Sequence, residues 1–175
     1  MTRLAVSFYP GLSHLGVAGI SYRENKPFLE FHKTFDVRCP PKGELGAYEL
    51  LAAIDNIELL VGRMEEKYGL IGETLWVLEY QPPLSTRSNP GLVRQNTFVE
   101  AFIQCWMMTE GVKYRKVAPS SVKRHFDFPR RETSQYCSNK NVAKEKVREM
   151  LGGVRVNEHI SDCVLNGVYA LETFH

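Results

Sequence analysis

VSFYPGLSHLG, Val6–Gly16, is the stretch on which the reading of this chain turns. Pro10-Gly11 is a turn signal, because Pro lacks an N–H and Gly accepts backbone angles closed to other residues. On its N-terminal side RLAVSFY reads as a short strand, and on its C-terminal side LGVAGISY reads as a second. FLEFHKTFD follows and alternates, with Leu29, Phe31 and Phe35 on one face and Glu30, His32 and Thr34 on the other. Three strands joined by short turns predict an antiparallel meander.

Beyond the loop from Val37 to Glu44 the period changes. Leu50, Ile54, Ile57, Val61 and Met64 recur at three- and four-residue spacing, which predicts an amphipathic helix. TLWVLEY is then a largely apolar run, suited to a strand covered on both faces. Leu92, Val99, Phe102 and Trp106 mark a second helix. KYRKVAP is a short strand stopped by Pro119. A third helix carries Ala143, Val147, Met150 and Leu151 and ends at Gly152-Gly153. The last carries Ile160, Cys163, Val164, Gly167, Val168 and Leu171. A meander feeding alternating helices and strands predicts an α/β fold: a mixed sheet of three antiparallel strands plus two more, flanked by helices.

Size and composition bound the alternatives. With 175 residues, 43% hydrophobic and 24% charged, one globular domain over 1–175 is expected. No apolar run reaches about 18 residues, so no membrane span is expected. MTRLAVSFYPG lacks the apolar region and cleavage site of a secretory signal. Cys39, Cys105, Cys137 and Cys163 form no CxxC pair, which argues against zinc, and Cys105 and Cys163 fall in apolar helical patterns as buried thiols. An intracellular setting is expected: cytoplasm, nucleus, or a viral or organellar replication compartment. The net charge is only +2, but Lys113–Arg148 is rich in Lys and Arg. That half is either a phosphate-binding surface or a solvated basic face.

Three places converge on chemistry. The first strand ends at Tyr9, the buried strand TLWVLEY carries Glu79 near its end, and the final helix opens with NEHISD. A carboxylate at the end of an apolar strand is costly unless it binds something. His159 and Asp162 are three apart and share a helix face. Glu79, His159 and Asp162 are therefore candidate ligands for one or two divalent cations, which clamp an in-line displacement at phosphorus. Each also has a plainer reading: Glu79 as a strand-end acid paired with an arginine, and His159-x-x-Asp162 as a helix cap.

The order of these segments resembles the RuvC-like Holliday junction resolvases, members of the RNase H-like nuclease superfamily that includes poxvirus and mitochondrial resolvases. VSFYPGLSHLG resembles the family's V-S-I-D-P-G-x-x-N-L-G opening, LEYQPP its second-acid strand, APSSVK the segment entering the next helix, and HISDCVLNGVYAL its closing D/H-x-x-D helix. The resemblance implies an RNase H-like domain and a structure-selective endonuclease that resolves four-way (Holliday) junctions in DNA recombination. It implies Mg²⁺, with Mn²⁺ as substitute, held by Glu79, His159 and Asp162. It implies a homodimer on branched DNA, for which Trp106, Met107 and Met108 are either interface or core. NKNVAKEKVREML resembles a lysine-bearing segment, which makes Lys140 a catalytic candidate beside Lys144. Lys123, Arg124, Arg130, Arg131, Lys140 and Lys144 are the expected DNA contacts.

One position departs from the pattern. Where the family carries its first Asp, this chain has Tyr9. A phenol with pKa near 10 is neutral at pH 7 and cannot bridge two cations as a carboxylate does. Two readings follow. The chain is a metal-dependent hydrolase weakened at one position, favoured because three of four site positions remain. Alternatively it is a catalytically impaired fold that binds DNA or serves a structural or assembly role.

Overall fold

The computed structural model describes residues 2–11, 14–39, 44–70, 73–80, 90–129 and 136–174. β1 (Arg3–Pro10) and β2 (His14–Arg23) pair antiparallel on either side of the Pro10-Gly11 turn, with Tyr9 opposite Gly16. The Gly11 N–H donates to the His14 carbonyl at 2.9 Å and closes that turn. β3 (Lys26–Asp36) follows through Glu24 and Asn25, both at positive φ, the two-residue geometry whose twist matches the flanking strands.

A small β4–β5 pair (Arg38–Cys39 and Glu44–Leu45) sits inside the stretch expected as loop. The long helix α1 (Ala47–Tyr68) returns the chain to β6 (Leu75–Glu79), which lies parallel to β1. α2 (Pro90–Thr109) leads to β7 (Tyr114–Val117), parallel to β6. Pro119 does more than stop β7. It opens a short helix, α3 (Pro119–His125), where its missing N–H costs nothing. α4 (Tyr136–Met150) and α5 (Glu158–Thr173) complete the chain. The sheet order is β3-β2-β1-β6-β7, the mixed sheet that the sequence predicts.

Alternation along the strands divides the interior into two layers. Val6, Phe8, Trp76 and Leu78 face α1 and α2, where Leu50, Ile57, Val99, Ile103 and Met107 meet them. Ala5, Ala18, Ile20 and Val77 face α5 and α4, against Ile160, Val164, Val168 and Val147. Trp106 is partly buried against the first layer, whereas Met108 is 66% exposed.

Two sequence expectations are corrected. Leu29 does not share a face with Phe31 and Phe35: it packs in the α5 layer, and they pack in the α1 layer. The cause is a bulge, since Ile20 pairs with Leu29 and Gly19 with Phe31, leaving Glu30 as the extra residue. Cys105 is exposed rather than buried, because Val99, Ile103 and Met107 form the inward stripe of α2; Cys163 is buried as expected.

α5 lies close against the strands. A Cβ at Gly167 would fall 2.5 Å from Ile20 Cδ1, and one at Gly16 would fall 3.2 Å from Cys163 Sγ and 3.3 Å from His159 Cβ. These two glycines allow the helix to press its first three turns against β1 and β2. Among the described residues, no helix is long and apolar enough to cross a membrane.

Candidate active site

β1, β6 and β7 run parallel, so their carboxyl ends share one edge of the sheet, the usual location of a site in such sheets. The last β1–β6 pair is Phe8 with Leu78, which sets Tyr9 and Glu79 side by side one residue further on. Tyr9 and Glu79 both belong to the α5 side, opposite Phe8 and Leu78.

The start of α5 is fixed by its own cap. Asn157 Oδ1 accepts from the Ile160 N–H at 2.9 Å, and Asn157 Nδ2 reaches Thr34 Oγ1 on β3. Because Asn157 caps the helix, the alternative reading of His159 and Asp162 as capping residues falls away. His159 lies on the helix face that Gly16 admits.

Glu79 and Asp162 line one small cavity of about 20 Å³, together with Lys123 and Asn166. That is room for about one water or one ion. Glu79 is 7% exposed, and Asn166 Nδ2 donates to its Oε2 at 2.8 Å. Burial pushes the Asp162 carboxyl up to about 6; Lys123 and then Lys140 pull against this, while Glu158 adds to it. For Asp162 the two lysines do not offset burial. Neighbouring Cys163 is inert as a nucleophile, since burial first, then the charges of Asp162 and Glu79, hold its thiol well above the usual range.

His159 packs between Tyr9 and His14. Its ring centre lies 5.5 Å from that of Tyr9 and 5.7 Å from that of His14. Burial lowers its pKa against the opposing pull of Glu158, and His14 and Lys140 lower it further. The imidazole is therefore neutral at pH 7, the form that can ligate a metal. Tyr9 fills the space next to it with a phenol.

The expected basic residues separate. Lys123 borders the cavity and exerts the larger pull on Asp162. Lys140 makes an ion pair with Glu158 at 2.7 Å, which draws the Glu158 carboxyl below its ordinary range. Lys144 is close enough to add to that effect. Arg124 is exposed on α3, and Arg130 and Arg131 lie outside the described residues. Asn166 was not among the sequence candidates. Its signal was available: His159, Asp162, Cys163 and Asn166 are spaced as one helix face.

Among the described residues, no group of three or more His, Cys, Asp and Glu side chains is arranged to hold a metal ion. The chemistry of the pair still allows one. Mg²⁺ keeps several waters and needs only one or two protein carboxylates, so Glu79 and Asp162 around a 20 Å³ space fit a single hard cation. A closely spaced pair of cations needs a bridging carboxylate, and Tyr9 supplies none.

No protein-family model and no curated protein matches the chain. Solved structures do. Thermus thermophilus RuvC in complex with Holliday junction substrate superimposes with a TM-score of 0.62 at 15% identity, over 99% of this chain and 97% of that one. The fold is RuvC-like. The fowlpox virus Holliday junction resolvase gives 0.52 at 14% identity, covering 99% of this chain and 100% of that one. The yeast mitochondrial Holliday junction resolvase Ydc2 gives 0.55 at 13% identity, covering 94% and 76%. The RuvC-like architecture thus extends over nearly the whole chain. Its sequence is far from that of any of the three.

Proposed function

We propose that this protein is a junction-directed DNA endonuclease that binds four-way junctions as a homodimer and hydrolyses a phosphodiester slowly. The observation that carries the reading is the cavity shared by Glu79 and Asp162 at the strand ends of a RuvC-like fold. Glu79 and Asp162 would hold one Mg²⁺ or Mn²⁺, with the neutral His159 imidazole as a nitrogen ligand. The bound cation would supply an activated water and charge neutralisation at phosphorus. Asn166 keeps the Glu79 carboxylate fixed for that purpose. Lys123 offers its ammonium to the phosphate next to the cavity. Lys140 and Lys144, at the α4–α5 junction, extend the basic footprint, and phosphate contacts set the register of the bound DNA.

Tyr9 sets the rate. Two divalent ions close together repel strongly, and a bridging carboxylate offsets that repulsion. With a phenol there, the site works with one ion. Mn²⁺, which accepts nitrogen from His159 more readily, is then the better cofactor. The same residue favours a second reading, in which the chain binds junctions and does not cut them.

Cleavage of a labelled four-way junction separates the two. Wild type, Tyr9→Asp and Asp162→Asn are compared in Mg²⁺ and in Mn²⁺. Slow cutting by wild type, faster in Mn²⁺, a gain of at least about tenfold in Tyr9→Asp (~1.4 kcal/mol of barrier) and none in Asp162→Asn is the expected pattern. Junction binding with no cutting by either wild type or Tyr9→Asp would establish the second reading. Full Mg²⁺-dependent cutting by wild type would place a further ligand elsewhere.

A further inference from the structure

The carboxyl ends of β1, β6 and β7 carry the site described above, and their amino ends border a second cavity of about 680 Å³. Leu75 opens β6 and Glu79 closes it, so roughly 13 Å of strand separates the two places. The volume falls in the range of small-molecule pockets, about 300–1,000 Å³. Its walls are fixed where the surrounding elements end. α1 stops at Gly69, whose left-handed φ of 65° turns the chain, and the Leu70 N–H then bonds the Glu65 carbonyl at 2.9 Å. α5 stops at Phe174, which is extended while its N–H still bonds the Ala170 carbonyl at 2.9 Å. Arg3, at the start of β1, ties the strand to that helix end, because its guanidinium donates to the carbonyls of Leu171 and Phe174.

Two chemistries line the cavity. Leu4, Leu70, Leu75, Leu171 and Phe174 supply apolar surface. Lys113, just before β7, and Arg115, within it, are exposed and supply positive charge. Among the described residues neither is held in an ion pair. The Arg115 guanidinium carbon lies 5.8 Å from the centre of the Phe174 ring. A guanidinium set over a ring keeps its N–H donors, which lie in its own plane, for an anion. The wall thus carries three cations, Arg3, Lys113 and Arg115, against the Glu73 carboxylate. That balance favours an anion, and Glu73 disfavours a highly charged one.

We propose that this cavity is a binding site for a small organic anion of low charge. Its carboxylate, sulfonate or phosphate monoester meets Lys113 and Arg115, and its apolar body packs against Leu75, Leu171 and Phe174. An apolar lining with a few convergent charged groups is the usual make-up of a small-molecule site. The planar fork of Arg115 suits the paired oxygens of such a head group. The site is independent of the DNA reading, since it lies at the opposite edge of the sheet and includes neither Glu79 nor Asp162.

Fluorescence titration of the full chain with anilinonaphthalene sulfonate, an aromatic monoanion, tests this. Saturable binding is expected, with backbone amide shifts in NMR spectra centred on Leu75, Tyr114 and Arg115. The double variant Lys113→Glu, Arg115→Glu should bind the probe at least about tenfold more weakly and keep the wild-type melting temperature, because both side chains are exposed. Phenyl phosphate and indole acetate should displace the probe, and their relative strength separates a phosphate from a carboxylate head group. Pyrophosphate, which has no apolar body, should not displace it. No saturable binding, equal probe affinity in wild type and variant, or amide shifts away from this edge would overturn the site. Displacement by pyrophosphate but not by phenyl phosphate would show that the apolar lining is unused and would overturn it as well. Displacement by a polyglutamate peptide alone would make the cavity a protein-docking surface and overturn the small-molecule assignment.

Discussion

The two faces of the central sheet are built from the same strands and differ in kind. On the α1–α2 side, β1 and β6 present Val6, Phe8, Trp76 and Leu78, and two of these form a ring cluster with Trp106: Phe8 to Trp76 at 5.9 Å, Trp76 to Trp106 at 5.4 Å. On the α5 side the same strands present Ser7, Tyr9 and Glu79 among smaller apolar residues. Among the described residues Ser7 Oγ is buried without a hydrogen-bond partner, Glu79 accepts from Asn166, and Asp162 carries a carboxyl that burial disfavours as an ion. One face supplies stability and the other spends some of it to hold reactive groups in place. A mixed sheet permits this separation because successive side chains on a strand belong to opposite layers.

The largest test of that comparison is on the dry face. Phe8 is fully buried between Trp76 and Trp106, so Phe8→Ala should cost about 3–5 kcal/mol in urea unfolding, a large part of the stability of a domain this size. A loss below about 2 kcal/mol would show that the dry face does not carry the fold.

A smaller effect of opposite sign is expected on the polar face. The Asp162 carboxyl sits at about 6 when folded against an ordinary 3.8. The folded state therefore binds the proton more tightly, and the stability this gives is present below about 3.8 and lost as pH rises through about 6. A shift of two units bounds the effect near 3 kcal/mol, and solvent at this half-buried position reduces it to about 1–2 kcal/mol. Asp162→Asn should thus melt about 3–6 °C above wild type at pH 8 in EDTA and show no gain near pH 4. Equal melting temperatures at pH 8 would mean that the carboxylate is well solvated and the contrast between faces overstated.

The smallest effect belongs to the surface. Lys144→Ala should leave the melting temperature unchanged and lower the slope of log affinity for a four-way junction against log salt by about 0.9, one phosphate contact. An unchanged slope would remove Lys144 from the DNA footprint.

Much of this arrangement is legible in the sequence, and the illegible parts have physical causes. The hairpin around Pro10-Gly11 and the apolar run before Glu79 are strong local signals, and α5 follows from its apolar spacing. Those elements carry Tyr9, Glu79, His159 and Asp162, and with them come the cavity that Glu79 and Asp162 share and the contact of Tyr9 with His159. Leu29 was misassigned because a bulge leaves no mark on alternation: Glu30 is polar on either count, and only the pairing of Gly19 with Phe31 reveals the slip. Asn166 was missed although its spacing put it on the face of His159 and Asp162, because an amide does not titrate and its role appears only once its partner, 87 residues away, is located. Lys123 reads as one basic residue among many, and only the fold distinguishes it by setting it against Asp162.

The bulge also bears on solubility. β3 lies at one end of the sheet order, so one of its sides is an open edge, the kind of surface on which chains stack into fibres. Glu30, the extra residue, breaks the regular spacing of backbone donors and acceptors there. Its carboxylate is anchored by Ser21 at 2.5 Å, Tyr68 at 2.6 Å, Arg23 at 2.9 Å and Lys67 at 3.3 Å. Burial works against its ionisation, but the hydrogen bonds from Ser21, Tyr68 and Lys67 outweigh it and hold the group charged. The kink is thereby clamped to the end of α1 and cannot flatten without breaking four contacts. Another strand aligning along this edge meets an irregular stretch in mid-course.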